Sequence, residues 1–277
     1  MPDPASGPAD PTSPGAPTGT VAPTGTAGEP SPDRDLWETH AGWWQRNFTE
    51  GADAEYEEQI LPLAARHLAG ARRVLDVGTG EGQVARLVAR NGAWAAGVDP
   101  SMAQLEAAAL RAGGPSYLRG EAGRLPFRDG AFDAAVACLV FEHIDDAGAA
   151  LAEVARVLQP GACFAFFLNH PLLQTPGSGW IDDRILEEQY WRIGPYLTVD
   201  RTMEEVDKGI FIPFVHRPLS HYVNAMTSAG LILTHMEEPA PPPGFLARAE
   251  EYSAASSIPR LLLLVATRAA SGTLTAR

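Results

Sequence analysis

The chain has 277 residues, of which 45% are hydrophobic and 20% charged, values that exclude a collagenous, coiled-coil or wholly disordered protein. At about 150 residues per domain this length allows two domains, or one large α/β domain with a tail. Lys and Arg number 21 against 34 Asp and Glu, for a net charge of −13, the wrong sign for broad phosphate neutralisation, so nucleic-acid binding is not expected.

Residues 1–33 consist almost entirely of Pro, Ala, Gly, Thr, Ser and Asp, with APTGT repeated at Ala16–Thr20 and Ala22–Thr26. Such a segment buries too little apolar surface to offset chain entropy and is expected to be a disordered tail. From Asp35 the composition changes. Leu36, Trp37, Trp43, Trp44 and Phe48, then Tyr56, Ile60, Leu61, Leu63, Ala64 and Leu68, predict two N-terminal helices. A regular alternation follows: strand 74–77, helix 83–90, strand 93–98, helix 102–111, strands 116–119 and 132–138, helix 147–157 and strand 162–168. Strands and helices in this rhythm predict an α/β domain over 34–277, with a parallel sheet covered by helices on both faces. Between 170 and 217 the pattern breaks into Pro171, Pro176, Gly177, Trp180, Tyr190, Trp191, Pro195 and Tyr196, read as an insertion without clear period that forms a cap or substrate wall. Helix 219–229 and strands 231–236 and 260–267 complete the domain, and the prolines of EEPAPPPGF, Glu237–Phe245, predict a rigid extended connection.

Cys138 and Cys163 have neither disulfide nor zinc-site spacing and are expected to stay reduced; no metal site is expected. The N-terminus lacks the basic and apolar regions of a secretory signal, and the longest apolar run, Leu261–Ala266, is too short for a bilayer. Together these predict a cytoplasmic protein with no membrane partner.

The sharpest motif is VLDVGTGEG, Val74–Gly82, an apolar strand opening through glycines into a helix. Glycine permits the tight turn and lets a ligand approach backbone N–H groups at a helix start. Gln83 stands where a dinucleotide fingerprint needs its third glycine, and no P-loop sequence occurs. Asp99 in GVDPSM ends the next strand, where a carboxylate can accept hydrogen bonds from both ribose hydroxyls or simply cap the following helix. Glu121 and Ala122 follow the third strand, where a carboxylate and an N–H can read an adenine edge.

In this order the motifs resemble the class I S-adenosylmethionine-dependent methyltransferases, in particular the small-molecule, ubiquinone/menaquinone-biosynthesis-like group. Asp76, Gly78, Gly80 and Gly82 match every specified position of D-x-G-x-G-x-G. RLPFRDGAFDAAVACLVFEHIDD and LAEVARVLQPGACFAFF resemble the segments around the family's fourth and fifth strands. The resemblance implies a doubly wound, mostly parallel seven-stranded sheet with the aromatic insertion after the fifth strand, and S-adenosyl-L-methionine as cofactor. It implies that Asp76, Gly78, Thr79 and Gly80 meet the methionine part, that Asp99 holds the ribose, and that Met102 packs on the adenine read by Glu121 and Ala122. Cys138 takes a position where the family has a small polar residue lining the site.

The reaction this implies is methyl transfer to a small-molecule acceptor at oxygen, nitrogen or carbon. The rivals are a methyltransferase acting on tRNA or protein, and a non-catalytic cofactor-binding regulator. For an acceptor that loses a proton, His170 in LNHP is the first candidate base because it follows the fifth strand, on the edge where open α/β sheets bind ligands. His216 is the second. Its HRPLS segment resembles one that lines the acceptor pocket in small-molecule members, with a plain helix start as the alternative. Glu142 and His143 in FEHI are further candidates, with packing or capping as the favoured reading of His143, and His40, His67, His221 and His235 are read as packing or surface. Trp43, Trp44 and Tyr56 form either a flap over the cofactor or an ordinary amphipathic face. The aromatics of the insertion either suit an apolar acceptor or anchor the loop.

Overall fold

The computed structural model describes residues 32–49, 51–111, 113–248 and 254–270. The stretch at 1–33 read as a disordered tail lies outside the described residues except for Pro32 and Asp33, which open the first helix, α1 (Pro32–Phe48). A π-helical turn at Tyr56–Ile60 runs into α2 (Leu61–His67). The alternating part comprises β1 (Arg73–Val77), α3 (Gln83–Arg90), β2 (Trp94–Asp99), α4 (Met102–Leu110), β3 (Ser116–Arg119), β4 (Phe132–Cys138), α5 (Ala147–Val157) and β5 (Leu158–Asn169). Next come β6 (Gly179–Asp183), β7 (Glu188–Arg192), β8 (Asp200–Asp207) and β9 (Ile210–His216). The chain closes with α6 (Leu219–Ser228), β10 (Leu231–Glu237), α7 (Pro243–Leu246) and β11 (Leu261–Arg268). Among the described residues no helix is long and apolar enough to cross a membrane.

One sheet of seven strands, in the order β3-β2-β1-β4-β5-β11-β10, forms the centre. Only β11 runs against its neighbours β5 and β10. Because side chains alternate along a strand, Ala135, Ala137, Phe164 and Phe166 pack with Leu151, Val154, Tyr222 and Met226 of α5 and α6. Ala134, Val136, Ala165 and Phe167 face the other way, onto Ile60, Leu63, Val84 and Val88. Both faces are thus covered, which is why these strands read as apolar runs. Each enclosed phenylalanine carries about 3–5 kcal/mol against truncation. The strand order reverses between β1 and β4, and the crevice at their carboxyl ends is where such sheets bind ligands.

Three expectations change. The insertion is two antiparallel hairpins, β6–β7 and β8–β9, with Trp180 paired to Trp191 across the first. Half-exposed ribbons carry charges on both faces, so their period of two is blurred in sequence. The strand expected at 162–168 begins earlier, at Leu158, with a register shift against β4 between Phe132 and Ala134. The connection after β10 is not wholly extended. Pro243 starts the four-residue α7 at a position whose N–H would lack a helical partner anyway.

Candidate active site

At the end of β1 the chain turns through Gly78, Gly80 and Gly82, all at positive φ (69°, 54° and 86°). A methyl group on Gly78 would collide with Val140 beyond β4, so this loop packs only without a side chain there. Asp76, buried at the strand end, accepts hydrogen bonds from the Thr79 hydroxyl (2.7 Å) and the Ala85 N–H (3.0 Å), tying the loop to the start of α3. Asp99 at the tip of β2 accepts from the Gly80 N–H and the Ser101 N–H, both at 2.9 Å. Burial pushes both carboxyls up to about 6. Neither has a basic side chain among the causes of its shift.

These residues open onto a cavity of about 460 Å³, within the ~300–1,000 Å³ range of small-molecule sites. Asp76, Gly78, Thr79, Gly80, Asp99, Glu121, Ala122 and Cys138 all line it. Met102 does not. Ser101 caps α4 by accepting the Gln104 N–H at 3.2 Å, and the helix so started turns Met102 outward, 37% exposed. Pro100, Ser101 and Gln104 face the cavity in its place; the capping serine was the sequence signal for this face, since positions 101 and 104 share one side of the first turn.

Two buried carboxylates without counter-charge suit a ligand that brings cationic groups and hydroxyl donors, as S-adenosylmethionine does. Such a ligand favours the ionised carboxylates, so its affinity is expected to fall as pH drops below about 6. The sign for the empty protein is opposite. Folded carboxyls raised from 3.8 to about 6 bind more protons than the unfolded chain, so their contribution to stability declines as pH rises through that window. Calorimetric titrations in buffers of different ionisation heat should show net proton release on cofactor binding near pH 5.5 and almost none near pH 7.5.

A second cavity of about 530 Å³ adjoins the first. Trp37, Trp44, Tyr56, Leu139 and His143 line both. Leu139 holds φ 53° directly after β4, the kind of unfavourable backbone that gathers at functional sites. His143 sits between the rings of Trp37 (4.7 Å) and Phe214 (4.6 Å). Its Nδ1 donates to the Pro213 carbonyl at 2.8 Å, which leaves Nε2 as the nitrogen with a lone pair. Burial pushes His143 down to about 4, so the ring is neutral around pH 7. Trp43 closes the far wall by donating from Nε1 to Asp207 at 2.9 Å, joining α1 to the β8–β9 hairpin. Trp180, Trp191 and Phe245 add aromatic lining, with Glu204, a carboxyl that burial pushes up to about 7. Tyr56 accepts a hydrogen bond from the Cys138 thiol at 3.6 Å where the two cavities meet.

The two histidines proposed from sequence as bases lie elsewhere. Buried His170 accepts the Leu172 N–H on Nδ1 (3.1 Å) and donates from Nε2 to Glu238 (2.7 Å); both nitrogens are engaged and it lines neither cavity. His170→Gln is expected to cost about 1–3 kcal/mol of stability in denaturant unfolding and to leave cofactor affinity unchanged. His216 donates from Nε2 to the Tyr196 carbonyl at 2.8 Å and is likewise absent from both walls. The neighbouring Arg217 donates to the backbone carbonyls of Phe141, Ile144 and Asp145. The HRPLS segment therefore fixes the end of β9 onto the loop after β4, and it is this anchoring that brings Pro213 and Phe214 against His143.

The methyltransferase domain family matches residues 75–166, the span from β1 to β5. An O-methyltransferase of Aspergillus sclerotiorum, resE, is 36% identical over 135 residues, 46% of this chain and 51% of that protein. The ubiquinone/menaquinone biosynthesis C-methyltransferase UbiE of Desulfotalea psychrophila is 37% identical over 118 residues, 41% and 47% of the two chains. The match thus spans about half the length of these relatives. The crystal structure of an S-adenosylmethionine-dependent methyltransferase from Mesorhizobium loti aligns with a TM-score of 0.65 at 27% identity, over 78% of this chain and 98% of that one. The seven-stranded fold, the glycine loop between two buried aspartates and these similarities agree: over residues 75–166 the chain carries a methyltransferase domain, and it is similar to S-adenosylmethionine-dependent methyltransferases.

Proposed function

We propose that the chain methylates a small molecule held in the second cavity, at oxygen, nitrogen or carbon. The observation that carries this is the shared wall: an aromatic cavity of about 530 Å³ meets the cofactor cavity through Trp37, Trp44, Tyr56, Leu139 and His143. A non-catalytic binding protein needs no such second chamber. Asp53, Glu55, Glu204 and Asp207 also line it, against Arg248 and an Arg260 engaged by Glu55 at 2.8 Å, an acidic balance that disfavours a polyanionic acceptor such as tRNA. The names of the Aspergillus and Desulfotalea relatives specify transfer to oxygen and to carbon.

Asp76 and the loop Gly78–Gly80 would hold the methionine part of the cofactor, Asp99 the ribose, and Glu121 with Ala122 the adenine. Bound there, S-adenosylmethionine supplies a methyl group on a positively charged sulfur, open to in-line attack. The chain's own contribution is alignment and exclusion of water. Trp37 and Trp44 wall the junction, and Tyr56 is buried behind it. For an acceptor that loses a proton, His143 Nε2 would take it, a role supported by the ring's position in the shared wall and by its other nitrogen being committed to Pro213.

The test is incubation of a host metabolite extract with the purified protein and methyl-labelled cofactor, followed by mass spectrometry. A labelled small molecule is the expected result. Label on RNA or protein would replace this acceptor class, and cofactor binding without any labelled product would overturn the transfer itself.

A further inference from the structure

Far along the sheet from the cavities, its edge strand β10 meets the end of α2. His235 and Glu237 stand two residues apart on β10, on the same face of the strand, just after a register shift against β11 between Leu233 and His235. His67 is the last residue of α2. Its Nε2 lies 4.0 Å from Glu237 Oε2, and His235 Nε2 lies 3.4 Å from the same oxygen. The two imidazoles are 5.5 Å apart by ring centroids, and the three donor atoms all fall within 4.8 Å of one another. In a tetrahedral site with metal–ligand bonds of about 2.0–2.1 Å, donor atoms sit about 3.3 Å apart. Small side-chain rotations therefore convert this cluster into a coordination sphere.

A second observation points the same way. His67 Nε2 is buried and has no hydrogen-bond partner, a condition native proteins rarely tolerate without a reason. That nitrogen faces the cluster, on a side chain only 18% exposed. Arg66 also binds Glu237, but its guanidinium is 56% exposed on a flexible stem and can shift to the other carboxylate oxygen.

We propose that His67, His235 and Glu237 form a binding site for a zinc-class divalent ion, linking α2 to the edge strand and leaving a fourth position to solvent. Two imidazoles and one carboxylate suit Zn²⁺ and its first-row neighbours, whereas Ca²⁺ and Mg²⁺ need more oxygen donors than the cluster offers. The ion would join the helix leading into β1 to the strand that ends one residue before Glu238, the partner of His170. Its role is a staple that stabilises the fold, separate from the methyl-transfer site.

The test uses the full chain, free of any affinity tag and treated with chelator, titrated with ZnCl₂ by calorimetry and followed by thermal unfolding. The expected result is one ion bound per chain and a raised unfolding midpoint. His235→Ala and Glu237→Gln, both at the surface, should each weaken binding at least tenfold and abolish the shift in midpoint. His221→Ala, an exposed histidine away from the cluster, should change neither. Co²⁺ in place of zinc should give the visible absorption of a four-coordinate nitrogen and oxygen site in the parent and not in His235→Ala. Absence of binding at 100 µM zinc, or binding that survives both cluster substitutions, overturns the site.

Discussion

Asp99→Ala is expected to raise the dissociation constant for S-adenosylmethionine about tenfold to a hundredfold, equivalent to about 1.4–2.8 kcal/mol. The carboxylate already accepts Gly80 N–H and Ser101 N–H, yet two oxygens offer about four acceptor positions, so two remain for the ribose hydroxyls. Hydrogen bonds to a charged acceptor contribute about 1.5–3 kcal/mol each, part of which water entering the emptied space returns. The substitution also frees the glycine loop from the tip of β2. Asp99→Asn separates the two effects, because the amide keeps the volume and one acceptor oxygen while losing the charge. It should bind more weakly than the parent with a smaller loss of thermal stability than alanine causes. Titration calorimetry gives the constants directly, and an unchanged value in Asp99→Ala would move the ribose elsewhere.

His143→Gln is expected to lower kcat by about two to four orders of magnitude for an acceptor that must lose a proton. Glutamine can still donate to the Pro213 carbonyl and fill the space between Trp37 and Phe214, so the site should keep its shape, but it offers no basic nitrogen. Cofactor affinity should change less than threefold. Because burial holds His143 down at about 4, the parent enzyme's rate should be flat in pH from about 6 upward so far as this group is concerned. A variant with full kcat would reduce His143 to packing and leave alignment and water exclusion as the whole of catalysis. Single-turnover kinetics with the acceptor identified by labelling measure the step itself.

Much of the first cavity was legible because its determinants are local. A strand ending in Asp76, glycines where the chain turns left-handed, and an acidic residue at the next strand tip are short-range features, and the structure brings them to one cavity. The parallel sheet was legible for a similar reason: strands covered on both faces must be apolar throughout. The second cavity was not. His170 stands at the correct edge of the sheet, yet Glu238, contributed from beyond β10, occupies its Nε2 and makes it a strut. His143 reads as packing until the β8–β9 hairpin sets Pro213 against Nδ1 and Phe214 against its ring, which decides both tautomer and exposure. Likewise nothing near His67 in the chain announces His235 and Glu237. Periodicity and turn chemistry act over a few residues and so are written in the sequence of this protein. Which nitrogen of which histidine is left free depends on partners far along the chain, and only tertiary packing supplies them.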